Sequence, residues 1–525
     1  MEAKKPTTDY DVIILGGALA GASAAVLLLR DQPDLRILIL EKSRSFERRV
    51  GEATVEISAY FLSRVLGLTQ HLNQKHLVKQ GFRFWFANDC VKNLGQSSEL
   101  GARYLARVPA FQIDRPVLDE EILQRAVGQG AALRRPVSVQ SVTLQEGGRQ
   151  TVTYRDGDEV QTQTARWVVD ASGVAALLAR QQGWWQSNDA HPVSSVWARW
   201  RGVADLDGLD VVHRYPELAR NNFGIRATAT NHVMGQGWWA WMIPLKGGDV
   251  SVGVVYDERL VDWPTEGSLG QRLKDFLGQH PVARELLQDA KWVEGDVHKR
   301  RHLAYRVNRF AGDGFVLVGD AAGFLDPFYS PGMDWVAFTV SAAAALMGSE
   351  AEGNARTAQV ERYNRDFSRA YSRWFDAIYR DKYHYLGDFQ LMRWAFLLDL
   401  GFYYLGVVSQ PFKRGPKALE EPVFSSPPST PVYWIMRCYN RRFAAMGIHR
   451  RKRGTWGQRN HGRRFLFGGY AFNSSSTLPL FQALLAWGWL ELTEGWRTWL
   501  PLRSVTDRKV PSSIVKPVGD SALTN

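Results

Sequence analysis

The N-terminal part of the chain has the pattern of a strand, a glycine-rich turn, a helix and a second strand that ends at an acid. Tyr10–Leu15 is a short apolar run typical of a buried parallel strand. The turn Gly16-Gly17-Ala18-Leu19-Ala20-Gly21 follows, and residues 22–30 are rich in Ala and Leu. A second apolar run at residues 36–40 leads into Glu41, 20 residues beyond the last glycine of the turn. This layout predicts an α/β fold that begins with a dinucleotide-binding unit.

The turn and the acid have separate roles in such a unit. Backbone N–H groups at the turn reach a pyrophosphate at the helix N-terminus, and the acid accepts hydrogen bonds from ribose hydroxyls. We therefore expect Gly16, Ala18, Gly21 and Glu41 to bind the cofactor. Ala18 stands where the motif usually has its middle glycine, so its methyl group slightly crowds the approach of the phosphates.

Two later segments favour FAD over NAD as the dinucleotide. Residues 167–169 precede Asp170-Ala171-Ser172-Gly173, which looks like a strand and turn that many FAD proteins place beside the adenine half. Residues 315–318 precede Asp320, an acid at the tip of a parallel strand, which can reach the ribitol hydroxyls. Arg115 resembles an arginine set near the flavin, although a surface salt bridge with Asp119 is an open alternative.

Only one glycine fingerprint is present in the sequence, so no separate nicotinamide-binding domain is recognisable. We therefore expect reduced flavin to come from a separate NAD(P)H flavin reductase. No metal site is expected, because the two cysteines, Cys90 and Cys438, provide neither a disulfide framework nor a thiolate site. These cysteines, together with a polar N-terminus that does not resemble a signal peptide, predict a cytoplasmic protein.

The formal charge of +12 is partly local. A basic cluster consists of Arg450, Arg451, Lys452, Arg453, Arg459, Arg463 and Arg464. It is typical of a solvated face, and an acidic carrier protein or peripheral contact with the inner membrane face are the alternatives. Nucleic acid is not expected as a partner, because no recognisable binding module accompanies the charge.

A tryptophan motif, Trp239-Ala240-Trp241-Met242-Ile243-Pro244, is the most informative segment for function. Two indoles that are two residues apart on a strand point to the same face. They would form an apolar wall that keeps a substrate away from a flavin and lets a smaller species pass. Ordinary core packing of a strand is the alternative interpretation.

With these motifs, residues 8–350 resemble the flavin-dependent halogenases, FAD enzymes that share the aromatic-hydroxylase fold. The resemblance rests on the N-terminal fingerprint, Val50-Gly51-Glu52-Ala53-Thr54, the segment around Lys79, and the tryptophan motif. It implies that Glu52, Ala53 and Met333 lie at the cofactor, that halide is a co-substrate, and that Trp239, Trp241, Ile243 and Pro244 line the tunnel or shield the flavin.

In that family, a tunnel lysine captures the hypohalous acid made at the flavin, by hydrogen bonding or as a haloamine. Lys79 stands at the corresponding position, and its apolar flanks predict burial, which lowers the pKa of an ammonium group. A surface lysine at a helix end is the alternative.

The chain departs from the family in the turn Phe328-Tyr329-Ser330-Pro331-Gly332. Two backbone N–H groups of this turn bind the halide in the family, and the matching residues here are Pro331 and Gly332. Proline has no N–H group, so this halide site is doubtful. Tyr329 also replaces the glutamate that orients indole in the tryptophan-specific enzymes. The resemblance therefore implies a phenol or pyrrole substrate rather than free tryptophan.

We expect an FAD-binding domain at residues 8–350 with an antiparallel, substrate-covering sheet inserted at about 187–299. A helical region at 355–410, a Pro-rich linker at 411–432 and a basic, aromatic C-terminal region at 433–525 follow. The expected function is FAD-dependent halogenation of an electron-rich, small aromatic substrate, free or tethered to a carrier protein, in secondary metabolism. A monooxygenase or oxidase of the same fold is one alternative, and a non-catalytic, membrane-associated flavoprotein is another.

Overall fold

The computed structural model describes residues 9–145, 149–469 and 477–499. Residue 8 and parts of the expected C-terminal region, 470–476 and 500–525, lie outside the described residues. The strands are β1 Tyr10–Leu15, β2 Ile37–Leu40, β3 Leu77–Val78, β4 Phe82–Phe86, β5 Ser98–Ala102, β6 Phe111–Gln112, β7 Ala132–Arg134, β8 Val137–Thr143, β9 Gln150–Asp156, β10 Glu159–Asp170, β11 Trp185–Ser187, β12 Val193–Arg201, β13 Thr230–Gly235, β14 Trp238–Pro244, β15 Val250–Asp257, β16 Lys291–Arg300, β17 Tyr305–Val307, β18 Ala311–Gly312, β19 Phe315–Leu317, β20 Gly323–Phe324 and β21 Arg464–Phe467.

The helices are α1 Leu19–Asp31, α2 Glu56–Tyr60, α3 Thr69–Lys75, α4 Arg115–Gly128, α5 Leu177–Gln181, α6 Leu209–Arg214, α7 Leu269–Gly278, α8 Pro281–Leu286, α9 Gly332–Met347, α10 Gly353–Trp374, α11 Phe389–Tyr403, α12 Ser409–Arg414, α13 Thr430–Lys452 and α14 Thr477–Thr493. Three π-helical turns, Phe61–Val65, Phe375–Tyr379 and Tyr404–Val408, continue α2, α10 and α11.

The first sheet has the strand order β18-β19-β10-β1-β2-β7, and β8 and β9 extend it at β10. Its central strands β1, β2, β10 and β19 run parallel, and β1 and β2 are joined by α1. Their apolar runs are buried on both faces, as a parallel sheet between helices requires. The expected α/β dinucleotide-binding unit is confirmed.

The second large sheet has the order β16-β12-β15-β14-β13-β4-β5-β21. The insertion expected at about 187–299 supplies β12 to β16, but β4 and β5 come from the preceding chain and β21 from the C-terminal region. The sheet is therefore wider than the sequence indicates, because strands distant in the chain extend its edge. Such long-range pairing has no local sequence signal.

The hairpin of β14 and β15 carries the tryptophan motif. The two strands pair antiparallel, and Leu245 N donates to Asp249 O at 2.9 Å. Trp239 and Trp241 belong to the hydrophobic core shared with the first sheet, whereas Ala240 and Met242 belong to a second core under α7 and α8. Successive residues of the motif therefore face two different hydrophobic cores, as expected for a strand.

The long aromatic helices expected at 355–410 are present as α10 and α11. The continuous helical segment Phe389–Arg414 is long and apolar enough to cross a membrane by length and composition. Its most apolar window is 56% buried, and it packs against α13 and α14. We interpret it as a core helix.

The segment 411–432 differs from the linker expected there. It forms short helical turns, among them Pro416–Glu420 and Pro427–Ser429, whose prolines occupy first-turn positions where a missing N–H group costs little. Two arginines of α10 hold the segment, since Arg369 donates to Ser425 O at 3.1 Å and Arg373 to Phe424 O at 3.0 Å. The prolines therefore shape a docked segment of the fold.

Candidate active site

The glycine-rich turn has the geometry that dinucleotide binding requires. Gly16 has φ +104°, and a Cβ atom at that position would lie 2.6 Å from the carbonyl oxygen of Ala171. Gly17 N donates to Glu41 Oε2 at 2.8 Å, so the acid lies at the turn. The turn leads into α1, which begins at Leu19 immediately after Ala18. These residues fit the pyrophosphate and ribose of FAD.

Asp320 lies three residues after the last residue of β19, at the end of the first sheet where the ribitol chain is expected. Burial raises the pKa of its carboxyl group, and the charges of Arg300 and Arg115 oppose that rise. Asp170 has a local role instead, because it accepts hydrogen bonds from Ser172 N and Leu178 N and stabilises its own turn. Asp320 therefore fits a role in binding the ribitol hydroxyls.

Arg115 forms an ion pair with Asp119, which was the alternative to a position near the flavin. Nε and Nη2 lie 3.2 Å from the two carboxylate oxygens, but Asp119 is fully buried, so this is not a surface salt bridge. Nη1 of Arg115 also donates to Val50 O at 3.3 Å and lies 2.7 Å from the position that a Cβ atom on Gly51 would take. Arg115 thus positions the segment that contains Glu52 and Ala53.

The carboxylate of Glu52 is bonded to the second large sheet. Arg199 Nη2 of β12 donates to it at 2.6 Å, and burial raises the pKa of Glu52 to about 7 although Arg199 opposes the rise. Ala53 forms a β-bridge with Gln112. The side chain of Glu52, expected at the cofactor, therefore joins this segment to the sheet in the structure.

Lys79 is buried, with a side chain 1% exposed. Its Nζ donates to Thr54 O at 2.8 Å and lies 3.9 Å from the centre of the Phe82 ring. Burial lowers the pKa of Lys79 to about 7, against the opposing charges of Glu56 and Asp334. The surface-lysine alternative is wrong, because Lys79 is buried, with Phe82 and the Thr54 carbonyl against its ammonium group.

Two carboxyl groups near Lys79, the buried Asp334 and the half-buried Glu56, were missed by the sequence interpretation. Tyr404 Oη donates to Glu56 at 2.6 Å, and burial raises the pKa of Glu56. Asp334 accepts from Ser58 N at 2.9 Å and from Tyr403 Oη at 2.8 Å, and burial raises its pKa to about 7. Each acid lies two residues after a motif of the sequence, Glu56 after Val50–Thr54 and Asp334 after Phe328–Gly332, and this closeness is the signal that could have identified them.

A cavity of about 60 Å³ lies beside these acids. Its lining comes from α2, β4, the turn before α9, and the helical region, and includes Val55, Glu56, Phe82, Tyr329, Pro331, Asp334, Ile378, Phe396, Asp399, Leu400 and Tyr403. Phe82, which contacts Lys79, is part of the wall. The cavity thus combines aromatic and aliphatic walls with three carboxyl groups and lies next to the buried lysine. Across the three described ranges of the chain, no group of His, Cys, Asp and Glu is arranged to hold a metal ion.

Pro331 lies at this cavity, directly before the first residue of α9, Gly332. The backbone of Pro331 has φ −76° and ψ −12°, so its N–H-lacking nitrogen stands at the start of the helix. The Gly332 amide belongs to the first turn and has no acceptor within the helix. Met333 follows and is buried. Of the two residues that match the halide site of the family, only Gly332 can therefore offer an amide N–H group.

Trp239 and Trp241 lie side by side on β14, with ring centres 5.8 Å apart and both indoles buried. Ile243 is buried, and Pro244 ends the strand. Trp239 Nε1 donates to Tyr383 Oη at 2.9 Å, and Tyr383 in turn donates to Asp326 at 2.9 Å. The two indoles therefore lie on one face of β14, as expected, and through Tyr383 they are bonded to the segment that leads into the Tyr329 turn. Their role as a wall between flavin and substrate stays a prediction.

The basic cluster is not a single exposed face. Arg450 is buried and pairs with Asp388 at 2.8 Å and Glu494 at 2.5 Å. Arg464, which is partly buried, lies 3.7 Å from the buried Glu99. The exposed members are Lys452, Arg453, Arg459 and Arg463. Part of the cluster therefore stabilises the fold.

Comparison with known proteins supports the interpretation of this site. A family model described as Tryptophan halogenase matches residues 11–100 and 91–386. The chain belongs to the flavin-dependent halogenase family. The flavin-dependent halogenase chlA of Dictyostelium discoideum is 26% identical over 435 residues, which are 75% of this chain and 69% of that protein. The 1H-pyrrole-2-carbonyl-[peptidyl-carrier protein] chlorinase of Pseudomonas fluorescens is 26% identical over 62% of this chain and 72% of its own length.

The halogenase fold extends over nearly the whole chain. The crystal structure of halogenase PltM in complex with phloroglucinol and FAD superposes with a TM-score of 0.68 at 20% identity, covering 94% of this chain and 97% of that one. The enzyme is therefore an FAD-dependent oxidoreductase of the halogenase type with halide as co-substrate. Halogenation is supported over the hydroxylase, oxidase and non-catalytic alternatives.

Proposed function

We propose that this halogenase transfers halogen to a small, electron-rich arene, a phenol or a pyrrole, bound in the cavity beside Lys79. The observation that carries the proposal is the burial of Lys79 against Phe82, which lines the cavity together with Glu56 and Asp334. An amine whose pKa is near 7 is partly neutral at physiological pH and can accept an electrophilic halogen.

FAD binding is assigned to the Gly16–Gly21 turn, Glu41, Asp320 and the start of α9 with Met333. Bound reduced FAD supplies the oxidation of halide by O2 that yields hypohalous acid. The indoles of Trp239 and Trp241 would keep the arene away from the flavin, and Pro331 and Gly332 flank the halide position. The single fingerprint in the sequence supports a separate flavin reductase as the source of reduced FAD.

Lys79 carries the halogen in this proposal. Its neutral amine attacks hypohalous acid, an N–halogen bond forms, and water leaves. The arene then attacks the halogen, the N–halogen bond breaks, and the lysine nitrogen takes up a proton from the acid form of Glu56 or Asp334, which restores the neutral amine. The arene carbon loses its proton to Glu56 or Asp334, whose raised pKa values make them suitable acceptors near neutral pH.

The walls of the cavity support a small arene as substrate. Phe82 and Phe396 offer aromatic faces, and a phenol hydroxyl or pyrrole N–H group can donate to a carboxylate of the cavity. Of the related proteins, one is a chlorinase named for a carrier-bound pyrrole, and PltM is described with phloroglucinol, a phenol. A free arene is the better fit, because part of the basic cluster that could bind a carrier protein is occupied by internal ion pairs.

The test is a coupled assay with flavin reductase, NADH, FAD, O2, and chloride or bromide, with a panel of phenols and pyrroles. We expect halogenated product from the native enzyme and at least a hundredfold less from Lys79→Ala, with FAD binding retained. Lys413→Ala, which removes an exposed lysine of α12, is the matched control and should leave turnover unchanged. Hydroxylated product formed without halide, or full activity of Lys79→Ala, would contradict the proposal.

A further inference from the structure

A stripe of apolar side chains lies exposed along α14 and the helical turn Gly495–Trp499 that follows it. Its members recur every three or four residues, which places them on one face of the helix. They are Phe481, Leu485, Trp489, Leu492, Trp496 and Trp499, here called the α14 stripe.

The stripe is unusual in its exposure. Leu492 and Trp499 are 75% exposed and Trp489 is 67% exposed, whereas the other face of α14 buries Leu480 and Leu490 in the core. Single exposed apolar residues are ordinary, but a continuous apolar stripe marks an interaction surface. One face of α14 therefore packs on the protein, and the other is available to a partner.

The charges around the stripe indicate which partner fits. The acids Glu491 and Glu494 are already paired, with Arg442 at 2.7 Å and Arg450 at 2.5 Å. Arg497 forms no ion pair with the residues that the structure describes, and the same holds for the exposed Arg441 of α13. The turn that carries Trp496 and Trp499 therefore presents an exposed positive charge at Arg497, which is unpaired within the described part of the chain.

Arginines also stack on the tryptophans at the end of the stripe. The guanidinium carbon of Arg442 lies 4.6 Å from the centre of the Trp499 ring, and that of Arg497 lies 5.4 Å from the Trp496 ring. Tryptophan and arginine side by side suit a membrane surface, because the indole lies at headgroup depth while the guanidinium meets lipid phosphates.

We propose that the α14 stripe binds the surface of an anionic membrane, with α14 parallel to the bilayer plane and its apolar side chains at the boundary of headgroups and acyl chains. A second copy of the chain fits less well. A twofold interface would bring the same patch from both subunits together, and its two acids are already used by internal arginines. The unpaired arginines would then lack partners.

The test is co-sedimentation of the full-length protein with vesicles. We expect binding to phosphatidylcholine vesicles that contain 30% phosphatidylglycerol, weaker binding to pure phosphatidylcholine, and release by salt. Leu485→Ser combined with Leu492→Ser should reduce the bound fraction about tenfold, because two leucines no longer enter the apolar layer. Val160→Ser combined with Leu209→Ser, which removes two apolar side chains of similar exposure elsewhere, is the matched control and should bind as the native protein does.

Three results would overturn the proposal. The native protein could remain in solution with both kinds of vesicle, or the stripe and control variants could lose binding equally. The third is a native dimer, seen by size exclusion with light scattering, that the stripe variant converts to a monomer without any vesicle binding. That result would assign the stripe to a second copy. Unchanged thermal unfolding and unchanged turnover of a soluble arene establish that the stripe variant is folded, and neither readout depends on the proposed role of Lys79.

Discussion

Lys382 Nζ lies 2.5 Å from Asp399 Oδ2, and both side chains are almost completely buried. The same carboxylate accepts hydrogen bonds from Tyr329 Oη at 3.1 Å and Tyr439 Oη at 2.7 Å. Tyr329 and Ser330 have φ values of 69° and 57°, a left-handed backbone that costs about 1–3 kcal/mol at each non-glycine residue. The buried pair therefore holds the turn at the cavity in its strained conformation.

Lys382→Met should lower the free energy of unfolding by about 3–5 kcal/mol, because it leaves a buried carboxylate without its cation. Denaturant unfolding measures the difference. Arg414→Ala breaks an exposed pair with Glu421 and should cost no more than about 1 kcal/mol. Equal losses in the two variants would show that the Lys382–Asp399 pair does not stabilise the fold.

The pH dependence of halogenation follows from the pKa of Lys79. If the neutral amine receives the halogen, kcat/KM rises as the pH increases through about 7. Glu56→Gln removes a negative charge that raises the pKa of Lys79, so the rise should move to lower pH. His232, beside Lys79, stays neutral in this range, because burial lowers its pKa to about 3.

Product formation between pH 5.5 and 9 measures this dependence, with Glu421→Gln as the control for an exposed glutamate. A profile that falls as the pH rises would mean that the ammonium form of Lys79 acts, by hydrogen bonding to hypohalous acid. If the pH profile of Glu56→Gln does not shift, the charge of Glu56 has no influence on the pKa of Lys79.

Short sequence patterns predicted those features of the site that form within a single segment of the chain. The turn at Gly16, the hairpin of the tryptophan motif and the burial of Lys79 follow from short segments whose glycines or apolar flanks determine their conformation. The roles of these residues in catalysis stay predictions.

Contacts between distant parts of the chain were not predictable in this way. Asp399 stands alone among apolar residues of α11, and its buried partners Lys382 and Tyr439 lie in other parts of the chain. Glu56 lies next to a recognised motif, but its partner Tyr404 is 348 residues away. Such pairings depend on how α11 packs in three dimensions, and a single sequence contains no periodic signal for them.

Pro331→Ser tests the halide site. The backbone at this position, φ −76° and ψ −12°, is open to serine, which restores an N–H group at the start of α9. A further hydrogen bond to a bound anion should lower the KM for chloride about tenfold. Halide titrations at saturating arene measure this effect, with the affinity for FAD as a control. An unchanged KM, or a change in FAD affinity alone, would place the halide elsewhere.

Trp239→Leu tests the wall. The substitution keeps an apolar side chain but removes the indole and its hydrogen bond to Tyr383. The arene can then approach the flavin more closely. We expect hydroxylated arene to appear beside the halogenated product, together with more NADH consumed per halogenation. Mass spectrometry of the products measures both. Phe86→Leu, which changes a buried aromatic residue of β4 in the same sheet, controls for general loosening of the core. If both variants give only halogenated product, Trp239 serves as a packing residue.

Neighbouring members of the basic cluster should respond differently to substitution. Arg450→Ala leaves Asp388 buried beside an empty position and should lower the free energy of unfolding by about 3–5 kcal/mol. Arg453→Ala, at an exposed position three residues later, should change it by no more than about 0.5 kcal/mol. Thermal and denaturant unfolding of the two variants measure the contrast. Comparable losses would mean that Arg453 also stabilises the fold.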